Sequence, residues 1–328
     1  MRYLHCLLGL ALGFCLAHPG LGEEQQSSAP GVACSDWSAC RVAFDQNLER
    51  LRQIIGGPKP PPLTMNIRSA TPYDIYFQTV ALWQMVNRLA FEILRVAEKP
   101  LPTPPAEIQL SAALHLVQEA YRVLQEVMAD PQIAESNALL APAPAEPVST
   151  SVKGMPADAF MAIFAINRQL NVLLERPYAP SDIYREVTLA VAYAAQLLAR
   201  YPEADRLPEE PPFEPAKQPA DVYLRLLACL NSLAQVSDTL GLAASHVESQ
   251  DIDKANIIPG DVFLLASLIV AQLDFLHHRL GITQAPRQVF YPGHKFPSHV
   301  YQRAGMLQVQ LQQLEQRVIA TGSAPGKD

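Results

Sequence analysis

One pentapeptide occurs six times in this chain: a proline, any residue, an acid, an aliphatic, an aromatic. The copies run from Pro72 to Tyr76, Pro156 to Phe160, Pro180 to Tyr184, Pro219 to Tyr223, Pro259 to Phe263 and Pro297 to Tyr301, with His299 replacing the acid in the last. This is a helix-start signal. Proline suits the first helical position, where φ is already set and no N–H is needed. The acid two residues on then falls in the first turn, beside orphan N–H groups and the positive end of the helix dipole. In the first copy Thr71 precedes the proline as a good N-cap.

The residues behind each signal share one phase. Counting from the proline, positions 3, 7, 10, 14, 17 and 21 read Val222, Leu226, Cys229, Leu233, Val236 and Leu240 in the fourth copy. In the fifth they read Val262, Ala266, Ile269, Leu273, Leu276 and Leu280, and in the sixth Val300, Ala304, Leu307, Leu311, Leu314 and Val318. The first three copies keep the register. Alternating steps of four and three make the seam of helices packed at shallow angles. No strand-like alternation appears. The expected fold class is all-α: a bundle of about seven or eight helices, six of them opened by the repeat, with long proline-rich connections.

Two more helices are expected, over 36–55, ended by Gly56-Gly57, and over 105–128 as a displaced copy of the repeat. The third and fifth copies are apolar nearly all round and should be central. The sixth carries Gln302, Gln308, Gln310, Gln312, Gln313 and Gln316 beside a narrow seam and should lie outside, or face a partner. Connections near 201–218, 243–258 and 281–296 are long enough to return the length of a helix, so parallel neighbours are allowed in the carboxy-terminal part. The segments read as 1–22 signal peptide, 23–35 flexible, 36–130 amino-terminal helical domain, 131–155 Ala/Pro-rich linker, 156–320 carboxy-terminal bundle and 321–328 disordered tail.

Residues 1–22 follow the plan of a secretory leader: Arg2, an apolar run from Leu4 to Leu16, then Pro19-Gly20-Leu21-Gly22. Cleavage after Gly22 is expected, with Ala17 as the alternative. Phe14 is too bulky to precede a lipidated Cys15. No later stretch reads as a membrane span, and the apolar run from Val262 to Leu273 reads as a buried core helix. Removing the leader takes away one cation and no acid, moving the formal net charge from −7 to −8. An acidic chain without a Lys/Arg cluster is a poor match to nucleic acid or an anionic membrane. In an exported chain Cys34 and Cys40 are expected to form a disulfide, and Cys229 to be a small buried hydrophobe.

The sequence holds no phosphate loop, zinc-binding histidine pair or nucleophile elbow. No cofactor is expected, and an enzyme is the last of three readings. Four of the histidines, His277, His278, His294 and His299, lie within 277–299, but three or four ligands would have to converge for a metal, with Asp274 as a helper. A dipole role for His277 and His278 at a helix end is the simpler reading. The repeat's acids and rings form the candidate ligand layer: Asp74 and Tyr76, Asp158 and Phe160, Asp182 and Tyr184, Asp221 and Tyr223, Asp261 and Phe263, His299 and Tyr301. If the helices run parallel these groups would gather at one bundle end, where ring faces and carboxylates could take a cationic or sugar-like ligand. The leading expectation is an exported, non-enzymatic helical-repeat protein that binds a protein partner or acts as a scaffold in the cell envelope. The alternative is a small-molecule or metal sensor using that bundle end.

Overall fold

The computed structural model describes residues 34–62, 66–103, 105, 107–140, 156–248 and 253–321. The described residues form nine α-helices: α1 (Trp37–Ile55), α2 (Pro72–Leu94), α3 (Leu110–Met128), α4 (Pro131–Leu139), α5 (Pro156–Leu173), α6 (Pro180–Leu198), α7 (Pro219–Thr239), α8 (Pro259–Arg279) and α9 (Pro297–Thr321). The fold class is all-α, and the helices pack as a bundle. All six pentapeptide prolines are the first residues of helices. A 3₁₀ turn spans Lys254–Asn256, and a two-stranded antiparallel ribbon joins β1 (Asn66–Ser69) to β2 (His246–Glu248). The sequence reading missed this ribbon, because three or four residues are too few to display an alternation.

Helix starts and stops follow local chemistry. Asp36 accepts the N–H of Ala39 at 2.9 Å and caps α1, while Gly56, at φ 69°, takes the left-handed position that ends it. The third helix opens at Leu110 rather than Pro105; the Gln109 carbonyl accepts its first bonds, from Ala112 and Ala113. The sulfurs of Cys34 and Cys40 stand at bonding distance at the start of α1, and Cys229 is fully buried.

Helices α6, α7, α8 and α9 all run the same way. Paired contacts fix the directions. Ser181 and Gln310 show α9 beside α6: Lys295 N–H, just ahead of α9, donates to Ser181, Arg303 to Tyr184, and Gln310 to the Val191 carbonyl. Lys217 N–H donates to Ser298, Arg225 to the Tyr301 carbonyl and Cys229 to the Ala304 carbonyl, so α7 and α9 advance together. Tyr193 bonds Asp274 and Arg200 reaches the Leu280 carbonyl, which aligns α6 with α8. Around the ring the order is α6, α8, α7, α9, with sequence neighbours α6 and α7 diagonal to each other, as are α8 and α9. At the carboxy-terminal end one apolar pit, with no room for a water molecule, is lined by Leu197, Tyr201, Val236, Leu240, Leu276, Leu280, Leu314 and Val318. These are positions 17 and 21 of the four pentapeptide helices. The seam read from the sequence is therefore the axis of a parallel four-helix bundle.

Helices α2 and α5 run against this set. Asp74, at the start of α2, meets Gln272 near the end of α8, whereas Gln78 meets the Leu264 carbonyl near its beginning. Arg168, late in α5, meets Asp261 at the start of α8. Helix α8 thus packs on α6, α7, α2 and α5. By length and composition it could cross a membrane, contrary to the sequence reading, yet 72% of its most apolar window is buried inside the protein. Its position is central, as expected.

The described residues from 34 onward form one compact unit, in which α5 packs on α1 and α2 from the other side of the 131–155 segment in sequence. Within that segment residues 131–139 are helical, started by Asp130 and Pro131; 141–155 lie outside the described residues. The last helix is less peripheral than its glutamines suggested: Gln302 donates to the Pro211 carbonyl and the buried Gln310 to the Arg206 carbonyl, fastening the 199–218 connection onto it. Residues 1–33, including those read as a leader, and the residues after 321 are also outside the described residues.

The deepest ion pair joins the two groups of helices. Arg168 donates to Asp261 through Nε at 2.6 Å and Nη2 at 3.1 Å, and also to the carbonyls of Pro61 and Asn256. Both side chains are buried. Removing one partner strands the other charge, so Arg168→Ala should lower unfolding free energy by about 3–5 kcal/mol. Urea unfolding of the two proteins checks this, and a loss below about 1 kcal/mol would contradict a structural role for the pair.

Candidate functional site

The bundle separates the twelve repeat residues into two places. The parallel direction of α6 to α9 brings Asp182/Tyr184, Asp221/Tyr223, Asp261/Phe263 and His299/Tyr301 to one end. The reversed direction of α2 and α5 puts Asp74/Tyr76 and Asp158/Phe160 toward the other. A single layer of six does not form, because two of the six helices point the opposite way.

The acids face their own backbones. Asp182 accepts the Ala179 N–H at 2.9 Å, Asp221 that of Gln218 at 2.8 Å, Asp261 that of Ile258 at 3.0 Å and Asp74 that of Thr71 at 2.8 Å. Only Thr71 returns a side-chain bond, so only α2 has a reciprocal capping box. His299 acts in the same way, its Nδ1 accepting the Phe296 N–H at 3.1 Å. An imidazole nitrogen that accepts carries no proton, so in this contact Nδ1 is the bare ring nitrogen.

The rings are engaged as well. Arg225 lies 3.4 Å over the Tyr301 ring, with Lys217 at 4.3 Å, and Arg303 lies 5.2 Å over Tyr184, with Lys295 at 4.8 Å. Arg303 also donates to the Tyr184 hydroxyl and pairs with Glu210 at 2.6 Å. Phe263 stacks on Tyr178, Phe160 on Phe164, and Tyr76 meets the edge of Phe77; Tyr223 is buried. The cation-binding capacity of Tyr184 and Tyr301 is filled by the protein's own guanidinium groups.

A second constellation lies at the junction of α2, α6 and α8, and sequence reasoning did not find it. The Asp274 carboxylate accepts hydrogen bonds from both Tyr73 and Tyr193. His277 sits edge-on to Tyr193, with Nε2 2.9 Å from the Tyr193 carbonyl. Burial and the adjacent carboxylate push both phenols far above their ordinary range. Beside this cluster Asp74, wholly buried, accepts from Thr71, Ser245 and Gln272; burial raises its pKa against those donors. Three helices supply the residues, so no local motif announces them. Two tyrosines on one carboxylate tie three helices together at this joint.

Of the four clustered histidines, His277 is buried in this joint, His278 is exposed, and His294 and His299 flank Phe296. Among the described residues no group of three or more His, Cys, Asp or Glu side chains converges as a metal site. Sequence reasoning also overlooked a charge boundary: residues 275–314 contain Arg279, Arg287, Lys295 and Arg303 but no acid, within an otherwise acidic chain. No family model, no curated protein and no solved structure matches this chain.

Two expectations follow. Deleting the α9 cap with His299→Ala should cost about 0.5–1 kcal/mol, while His299→Asp should match or exceed the parent, since a carboxylate also meets the dipole. Equal urea midpoints for the parent and the alanine variant would remove the capping role. Burial lowers the His277 pKa, only partly opposed by the Tyr193 carbonyl and Asp274. Its contribution is therefore complete above the unfolded value near 6.5 and declines as pH falls toward the folded value. Between about pH 7.5 and 5.5 the parent should lose more stability than His277→Gln; parallel profiles would refute this.

Proposed function

We propose that this chain is a non-enzymatic helical scaffold whose work is to present surface to a protein partner. The observation that carries this reading is the inward use of its chemistry: the repeat acids cap helices, and the repeat rings are packed or covered by guanidinium groups. Groups used in this way hold four helices parallel and leave little for a ligand at the bundle end, which weighs against the sensor alternative. In this reading α6 to α9 are four copies of one unit set around a common axis, and α2 and α5 are two more copies turned the other way. The leader-like residues 1–22 and the proximity of Cys34 to Cys40 support export to an oxidising compartment, with those cysteines as a disulfide.

The partner surface is the outer face of α9. Val309, Gln312, Gln316 and Ile319 form an exposed stripe at helical spacing, two aliphatics among amides. This mixture suits a contact that forms against another helix without the cost of burying charge. A photo-crosslinking residue placed at 309 or 316 should yield one discrete protein adduct in cells of the source organism. The same residue at the exposed Leu139 should not. No adduct from α9, or equal adducts from both places, would sink the proposal.

A further inference from the structure

The connection from α8 to α9 carries a surface that the scaffold reading does not use. It climbs the outside of α6: Gln196 donates to the Ala285 carbonyl at 3.0 Å, and the Lys295 N–H donates to Ser181 at 3.0 Å. Between those fastenings Phe290 is 76% exposed and Tyr291 68%, and Phe296 follows at 57%. Two adjacent rings are thus both presented to solvent. Pro292 and Gly293 follow, the glycine at φ 76°, a pairing that suits a sharp turn. The aromatic surface continues from His294 to Phe296, then His299, then Phe213 of the 199–218 connection, with ring centroids 4.8, 5.8 and 5.1 Å apart.

Charge accompanies the rings. Arg287 and Lys295 lie on the strap, and the acid-free stretch 275–314 surrounds it. The 199–218 connection carries five acids, of which Glu210 pairs with Arg303 and Glu214 with Lys217, while Glu203, Asp205 and Glu209 are the others. We propose that this strap docks on an anionic phospholipid surface, seating Phe290, Tyr291 and Phe296 among the headgroups while Arg287 and Lys295 meet the phosphates. Exposed aromatics flanked by cations match the polar–apolar boundary of a bilayer. The chain's net charge of −7 does not forbid this, because charges beyond a Debye length of about 8–10 Å are largely screened. A strap without helix or strand offers a peptide partner neither a helical groove nor a strand to extend, which favours the lipid. The proposal is independent of the α9 surface.

The test uses the full chain with Phe290→Trp, and Leu139→Trp as a distant exposed reference, mixed with vesicles that carry brominated acyl chains. Vesicles with about 30% phosphatidylglycerol should quench and blue-shift the tryptophan at 290, leave the one at 139 unaffected, and bind at least about tenfold more tightly than phosphatidylcholine alone. Adding Arg287→Glu and Lys295→Glu should abolish the preference. Because the readout is local, attachment through residues 1–22 would not mimic it. An unquenched 290 position, equal quenching at both positions, or a lipid preference untouched by charge reversal would overturn the proposal. So would shielding of position 290 from acrylamide by a soluble protein fraction but not by vesicles, which would assign the strap to a protein instead.

Discussion

Four helices that point the same way set the terms for the rest of this molecule. Their dipoles align, so four sets of unsatisfied N–H groups collect at one end and four sets of carbonyls at the other. The amino-terminal end is answered by one device used repeatedly, a side chain three places into the helix that turns back onto the N–H before the proline. Asp182, Asp221 and Asp261 provide it as carboxylates, and His299 as an imidazole. At the other end Arg200 reaches a terminal carbonyl of α8. The antiparallel α2 and α5 then pack on α8 with opposed dipoles, pinned by Arg168 and the Asp74 network.

Much of this frame could be read from spacing. The prolines marked six helix starts, and the four-three seam identified residues such as Leu276 and Leu314 that meet at the axis. What spacing could not supply was direction and partnership. Nothing local to Asp74 says that it will rest against Gln272, nor anything near Asp274 that two distant tyrosines will find it. Those contacts depend on α2 lying reversed on α8, a tertiary choice. The same ignorance of direction merged six acid–aromatic pairs into one expected layer. The role of His299 was visible only as a departure from pattern; the geometry makes it a chemical equivalent.

Composition speaks only for the average. A net acidic chain contains forty consecutive residues without an acid, and electrostatics at a surface respond to the local arrangement rather than to the sum. The glutamines of α9 misled outright. Gln302 and Gln310 read as solvent-facing, yet each satisfies a carbonyl of the connection laid across the helix, so a polar residue marked a fastening rather than an outer face.

The diagonal placement of sequence neighbours bears on how the chain comes into being. A chain emerging residue by residue completes α6 and α7 before either has its main partner, because α6 packs on α8 and α9, and so does α7. Neither half of the ring can close alone. The seam of α6 must wait some sixty residues for α8, a high contact order that slows folding and leaves apolar stripes uncovered in the interval. For such a topology the hazard lies in the order of synthesis: the nascent chain needs shelter for longer than an up-and-down bundle of the same helices would.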